Sequence, residues 1–160
     1  MNASIERAKP TKLFYVVANV ILVNVMDRSC LLLRRSNNEK EAGGKWAFPG
    51  GKAEHRQIIN GRMNNFFGVV ALAECQEETR LTFDPAKTQI IANGAFVRTD
   101  DGIPVVWATL AAPYEGGKVS LEAGSFSDYS WFNEADLPTA EDCIGTVREE
   151  AVAAIRTLST

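Results

Sequence analysis

The sequence predicts an α/β fold in which a sheet lies between helices, and three observations predict it. A long β-branched and aromatic run, Leu13 to Val25, reads as a central strand buried on both faces. Short strand-like runs follow it, separated by turn residues. Two stretches of helical character, about Phe66 to Thr79 and about Ile144 to Leu158, are set among them.

In chain order, Asp27-Arg28-Ser29 supplies turn chemistry, and Cys30 to Arg35 reads as the returning strand of a hairpin. Ser36 to Lys45 is polar, ends in Gly43-Gly44 and predicts an exposed loop. Trp46-Ala47-Phe48 then leads into Pro49-Gly50-Gly51-Lys52, which reads as a sharp backbone turn. Ala53 to Asn65 has no clear period and predicts a loop, with Asn65 as side-chain N-cap of the first helix. Further strands are expected at Gln89 to Val97, Val105 to Ala111 and Ser130 to Phe132, with Asp100-Asp101-Gly102 as a hairpin turn. The second helix follows Pro138 and the polar start Thr139 to Asp142.

Length and charge narrow the function classes. A chain of 160 residues fits one domain over 1–160, since about 150 residues is the usual size of a single core. Its 17 basic and 20 acidic side chains leave a net charge of −3 without a basic block, so duplex nucleic acid meets no electrostatic footprint. Cys30, Cys75 and Cys143 form no C-x-x-C pair, which argues against a disulfide framework or a zinc ribbon and for a reducing, cytoplasmic setting. Arg7, Lys9 and Lys12 precede the apolar run Leu13 to Met26, as in a signal peptide. Asn19 and Asn24 interrupt that run, no small-residue cleavage site follows it, and it is too short to span a bilayer. No membrane partner is expected.

The informative stretch is Ala71-Leu72-Ala73-Glu74-Cys75-Gln76-Glu77-Glu78-Thr79. On a helix, Glu74 lies three and four residues before Glu77 and Glu78, so the carboxylates project from nearly one face, where like charges repel. A bare E-x-x-E-E is more often a solvated acidic face than a metal site. Here it lies downstream of Trp46 to Glu54, a strand end and glycine turn whose backbone can approach an ion or a phosphate closely. Oxygen-only donors favour a hard cation, Mg²⁺ or Mn²⁺. Backbone amides and Lys52 suit phosphate oxygens.

Gly51 to Leu81 resembles the Nudix box, G-x5-E-x7-R-E-U-x-E-E-x-G-U with U aliphatic, and Trp46 to Gly51 resembles the W-x-F-P-G-G lead into it. Trp131-Phe132-Asn133-Glu134-Ala135-Asp136-Leu137-Pro138 is similar to the late W-F-x-x-x-E-L-P segment of many members. The resemblance implies an α/β/α sandwich with a central mixed sheet. It also implies Mg²⁺-dependent hydrolysis of a nucleoside diphosphate linked to another group. By matching position, Glu74, Glu77, Glu78 and the Gly50 carbonyl would hold the metal. One glutamate, Glu74 first, would orient or deprotonate the attacking water. Gly51, Lys52, Arg34 and Arg35 would contact the substrate, although an exposed strand end explains either arginine equally well. A further acidic residue would come from Asp128, with Glu122 and Glu115 behind it. The implied partner is a small nucleotide; a homodimer stays open.

The departures from the box are specific. The glutamate expected five residues beyond Gly51 falls on Gln57, the spacer to the helix is eight residues longer than the pattern, and the box arginine falls on Ala73. In the family these two side chains brace each other, and losing both leaves neither as an uncompensated charge. The inserted segment 58–65, with Arg56 and Arg62 about it, offers another brace. The glycine after E-E-x is Arg80, which argues against a left-handed residue ending the helix. These changes favour a second reading, a Nudix fold that binds a nucleotide as a sensor without cutting it. Retention of the helix glutamates favours the enzyme. His55 reads as an exposed ring, Cys75 as core, and Trp46, Trp107 and Trp131 as core fillers.

Overall fold

The computed structural model describes residues 14–54, 64–99 and 101–159. The chain order is β1 (Tyr15–Asn24), β2 (Ser29–Arg35), β3 (Trp46–Ala47), β4 (Gly50–Lys52), α1 (Phe66–Thr79), β5 (Gln89–Val97), β6 (Pro104–Pro113), β7 (Phe126–Asn133) and α2 (Val147–Leu158). Among the described residues these strands make one seven-stranded sheet with the path β3-β2-β1-β6-β5, while β4 pairs with β1 and β7 with β2. The sheet is mixed. β1 and β6 run parallel along their length, with Asn19 opposite Thr109, and the other pairings are antiparallel.

That parallel pair needs a long crossover, and the chain between the two strands supplies it as β2, β3, β4, α1 and β5. Strand β1 has Ala18, Val20, Ile21, Leu22 and Val23 fully buried, as expected of a strand covered on both faces. Alternation along it separates two core layers. Ala18, Val20 and Leu22 pack with Leu31, Leu33, Val70, Ala71 and Cys75 under α1. Ile21 and Val23 pack with Cys30, Leu32, Ala151, Ala154 and Ile155 under α2. The result is the α/β/α sandwich with a central mixed sheet.

Several elements differ from the sequence reading. The expected glycine turn is strand β4: Gly50 pairs with Asn19, Gly51 with Ala18 and Lys52 with Val17. Only glycine fits at residue 50, because a Cβ there would stand 2.6 Å from the Ala18 carbonyl oxygen. The last strand is longer than Ser130 to Phe132, because β2 pairs with it down to Phe126 and hides its polar start in a ladder. Helix α2 begins at Val147 and not at Ile144. The Ile144 N–H donates to the Trp46 carbonyl, Cys143 bridges Trp46, and Gly145 takes a left-handed conformation before the helix starts.

Asn65 precedes α1 as expected but is left-handed and makes no side-chain cap; its amide donates to the Pro85 carbonyl at 2.7 Å. Arg80 also contradicts expectation, closing α1 in the left-handed conformation with its N–H on the Gln76 carbonyl. The surroundings hold it there. The Thr79 hydroxyl donates to the Cys75 carbonyl and accepts from the Leu81 N–H, while the Ser120 and Glu122 N–H groups take the Thr79 and Glu78 carbonyls. His55, Arg56, Gln57, Arg62 and most of the inserted segment lie outside the described residues, as do Leu13 and Asp100.

Cys30, Cys75 and Cys143 are free and buried. Burial pushes the Cys30 thiol up to about 12 and the Cys75 thiol up to about 11. Among the described residues no helix is long and apolar enough to cross a membrane.

Candidate active site

The site is built where α1 crosses the short strand β4. The Gly50 N–H donates to Glu78 Oε2 at 2.9 Å. At Gly51 the missing side chain makes room for the Glu74 carboxylate, since an added Cβ would overlap its oxygens. Two glutamates of one helix face therefore reach two successive glycines; backbone contact requires the glycine at 50, while at 51 the absent side chain leaves the space that Glu74 fills. Glu77, between them in sequence, is exposed.

Electrostatics at Glu78 are set mainly by burial, which disfavours its charged form and pushes the carboxyl up to about 8. The Gly50 hydrogen bond works the other way, Glu74 and Glu122 add like charge, and Arg35 offsets part of it. Of the three candidates for a further acidic residue, Glu122 is therefore the one brought to Glu78. Asp128 is exposed and accepts from the Tyr129 N–H, and Glu115 pairs with Lys87 at 2.9 Å.

Among the described residues, no three His, Cys, Asp or Glu side chains converge closely enough as they stand to hold a metal ion. What the site offers is narrower: the Glu74 and Glu78 carboxylates against a glycine strand, with Glu122 near and Glu77 beside them on the helix. An all-oxygen set of this kind suits a hard divalent cation, and such an ion would offset the like charge of Glu74 and Glu122 around Glu78.

The two arginines separate by strand alternation. Arg34 turns to the α2 side, where Nε donates to the Gly44 carbonyl and the guanidinium lies 5.9 Å from the Trp46 ring. Arg35 turns to the site, acts on Glu78, and is held by the Glu41 carbonyl and by Glu39 at 2.9 Å. It lines a cleft of about 640 Å³ together with Lys52, Arg98, Lys40 and Phe96. Lys52 and Arg98 both lie over the Tyr15 ring, at 4.5 and 5.6 Å. Arg98 escaped the sequence reading, because a lone arginine after a strand carries no motif. Its pairing with Glu41 at 3.1 Å exists only in the fold.

A mixed sheet between helices, with helix carboxylates resting on a glycine strand beside a basic cleft, defines a protein of the phosphoanhydride-hydrolase class. Comparison makes the assignment particular: the family model for the NUDIX domain matches residues 14–154. The chain belongs to the NUDIX family and is a NUDIX pyrophosphohydrolase. Enzymes of this family generally use divalent metal ions.

Solved structures agree on the fold. A MutT NUDIX hydrolase from Burkholderia pseudomallei is 18% identical, over 92% of this chain and 99% of that one, with a TM-score of 0.66. A MutT protein from Methanosarcina mazei Go1 is 22% identical, over 95% and 100%, with a TM-score of 0.68. The NUDIX domain of Shewanella oneidensis NrtR, solved with ADP ribose, is 18% identical over 98% and 96%, with a TM-score of 0.64. No curated protein matches the chain.

Proposed function

We propose that this chain, as a single domain over 1–160, is a Mg²⁺-dependent hydrolase of small nucleotides. It would cleave the phosphoanhydride of a nucleoside diphosphate linked to another group, such as a nucleoside triphosphate or a nucleotide conjugate. The observation that carries the reading is the seating of Glu74 and Glu78 on Gly51 and Gly50, with Arg35, which also lines the neighbouring cleft with Lys52, acting on Glu78. Glu74, Glu77, Glu78 and the Gly50 carbonyl are the groups that would hold Mg²⁺, with Mn²⁺ as a substitute. Glu77 extends from the same helix face toward solvent and is the member that has to swing in. The ion's contribution when bound is positive charge against the pyrophosphate oxygens.

The chain's own groups do the rest. Arg35 and Lys52 bind phosphate oxygens, with backbone amides of β4 beside them. Water attacks one phosphorus, the anhydride P–O bond breaks, and the departing phosphate keeps the bonding electrons. The proton of the attacking water passes to a carboxylate, for which Glu74 is the candidate. Arg34, turned to the Trp46 side, is the weaker substrate contact. The buried free thiols support a reducing, cytoplasmic setting.

The test is a product assay with Mg²⁺ or Mn²⁺ on nucleoside triphosphates, nucleotide sugars, ADP-ribose, dinucleoside polyphosphates and capped RNA. Turnover of at least one substrate that stops on chelation is the expected result. Gln57, Ala73 and Arg80 in place of the box glutamate, arginine and glycine favour the second reading, a nucleotide sensor, and binding without any turnover would establish that instead.

A further inference from the structure

A second cavity, about 400 Å³, opens between the sheet and the N-terminal turn of α2. It shares Val17 and Phe96 with the basic cleft, so the two adjoin. Its aromatic wall is Phe48, Phe96 and Trp107. Phe96 is 53% exposed, a large ring left facing open space. The Trp107 indole lies over Gly94 of β5, where a Cβ would stand 3.2 Å from its nitrogen. The glycine inside that strand is thus explained by the flat seating of the ring.

The polar side of the cavity is Asn19, Thr146 and Glu150. Asn19 is the residue whose side chain abuts Gly50, which ties this cavity to the carboxylate site. Glu150 is a carboxylate only 8% exposed, in the first turn of α2, and it accepts the Thr146 hydroxyl at 2.5 Å. A carboxylate offers about four acceptor positions, so one hydroxyl leaves room for more donors. One hydroxyl partner leaves most of the bonding capacity of this buried carboxyl group unused.

We propose that this cavity is the base subsite and that Glu150 selects guanine. The inference rests on the nucleotide reading above. Guanine alone among the common bases presents two adjacent donors, N1–H and the 2-amino group, and these match the two oxygens of a carboxylate. Adenine sets an acceptor nitrogen against the same oxygens and loses that pair. A flat purine would stack on the aromatic side chains, with its phosphates toward the adjoining cleft of Arg35 and Lys52.

The experiment measures binding of GMP, IMP and AMP to the wild-type protein without metal, then to Glu150→Gln and Glu150→Asp. The expected order is GMP, then IMP, which lacks the 2-amino donor, then AMP. GMP should exceed AMP by roughly tenfold to a hundredfold, the usual discrimination of a bidentate pair. In Glu150→Gln, which keeps an oxygen for Thr146, that preference should collapse to within about threefold. A merely structural glutamate would lower all three affinities together. Equal binding of GMP and AMP by wild type, no measurable binding of either, or an undiminished preference in folded Glu150→Gln overturns the proposal. The wild-type comparison needs no variant to fold. Guanine preference without turnover on the substrate panel would sink the hydrolase reading and leave this subsite standing; turnover without base preference would do the reverse.

Discussion

Glu78 is half-buried between α1 and β4, takes a backbone N–H from Gly50, and has two other carboxylates near it. Its folded pKa of about 8 lies above the ordinary 4.5, so the native state holds a proton that the unfolded chain has released between those values. Stability of the metal-free protein therefore falls as pH rises from about 4.5 through about 8. Urea unfolding at about pH 6 and about pH 9 should show the loss, and Glu78→Gln should flatten it. Because the proton must leave before a cation can bind, affinity for Mn²⁺ should climb over the same range, measured by calorimetry with proton release. In turnover, Glu77→Gln and Glu78→Gln should each cut the rate by orders of magnitude with little change in melting temperature. Near-normal rates in both would remove these carboxylates from the chemistry. Gly51→Ala tests the glycine seat separately. The new methyl must displace the flexible Glu74 carboxylate, so a loss of activity is expected with little change in urea unfolding.

At the scale of elements, the helix that carries the glutamates was legible to the residue, Phe66–Thr79, because its acidic face and its glycine lead are local features. Its ends were not. Asn65 looks like a cap but spends its side chain on Pro85, and Arg80 occupies a conformation that its own chemistry disfavours. Both choices are made by distant chain, the 85–87 turn in one case and the 120–122 segment in the other. A left-handed non-glycine residue costs roughly 1 kcal/mol, so Arg80→Gly should stabilise the protein by up to about that amount in urea unfolding. A lower midpoint would show that the arginine side chain contributes something the backbone argument misses. Strand β4 was read as a turn for the same reason. Pro49-Gly50-Gly51 has turn chemistry, and only its pairing with β1 makes it a strand.

For the whole molecule, sequence alternation predicted a layered α/β architecture, and the family motif added the mixed sheet. The site itself was legible only in part. Glu74, Glu77, Glu78, Gly50 and Gly51 were named from the motif, and the fold brings Glu74 and Glu78 to the two glycines. Residues assembled by topology were missed or left open. Arg98 and Tyr15 meet Lys52 across strands, and Glu122 reaches Glu78 by bonding the helix end. The cleft and the adjoining apolar cavity exist because β1 is shared by β4 on one side and β6 on the other, an arrangement that no local window contains.

The proposed hydrolysis depends on Glu74 and Glu78 closing on a divalent cation against Gly50. A crystal grown with Mn²⁺ and examined by anomalous scattering tests that most directly. The predicted result is one strong peak bound by these carboxylates and the Gly50 carbonyl, with Glu77 drawn in from solvent. Ordered carboxylates turned away from one another, with no peak between them at saturating Mn²⁺, would contradict it.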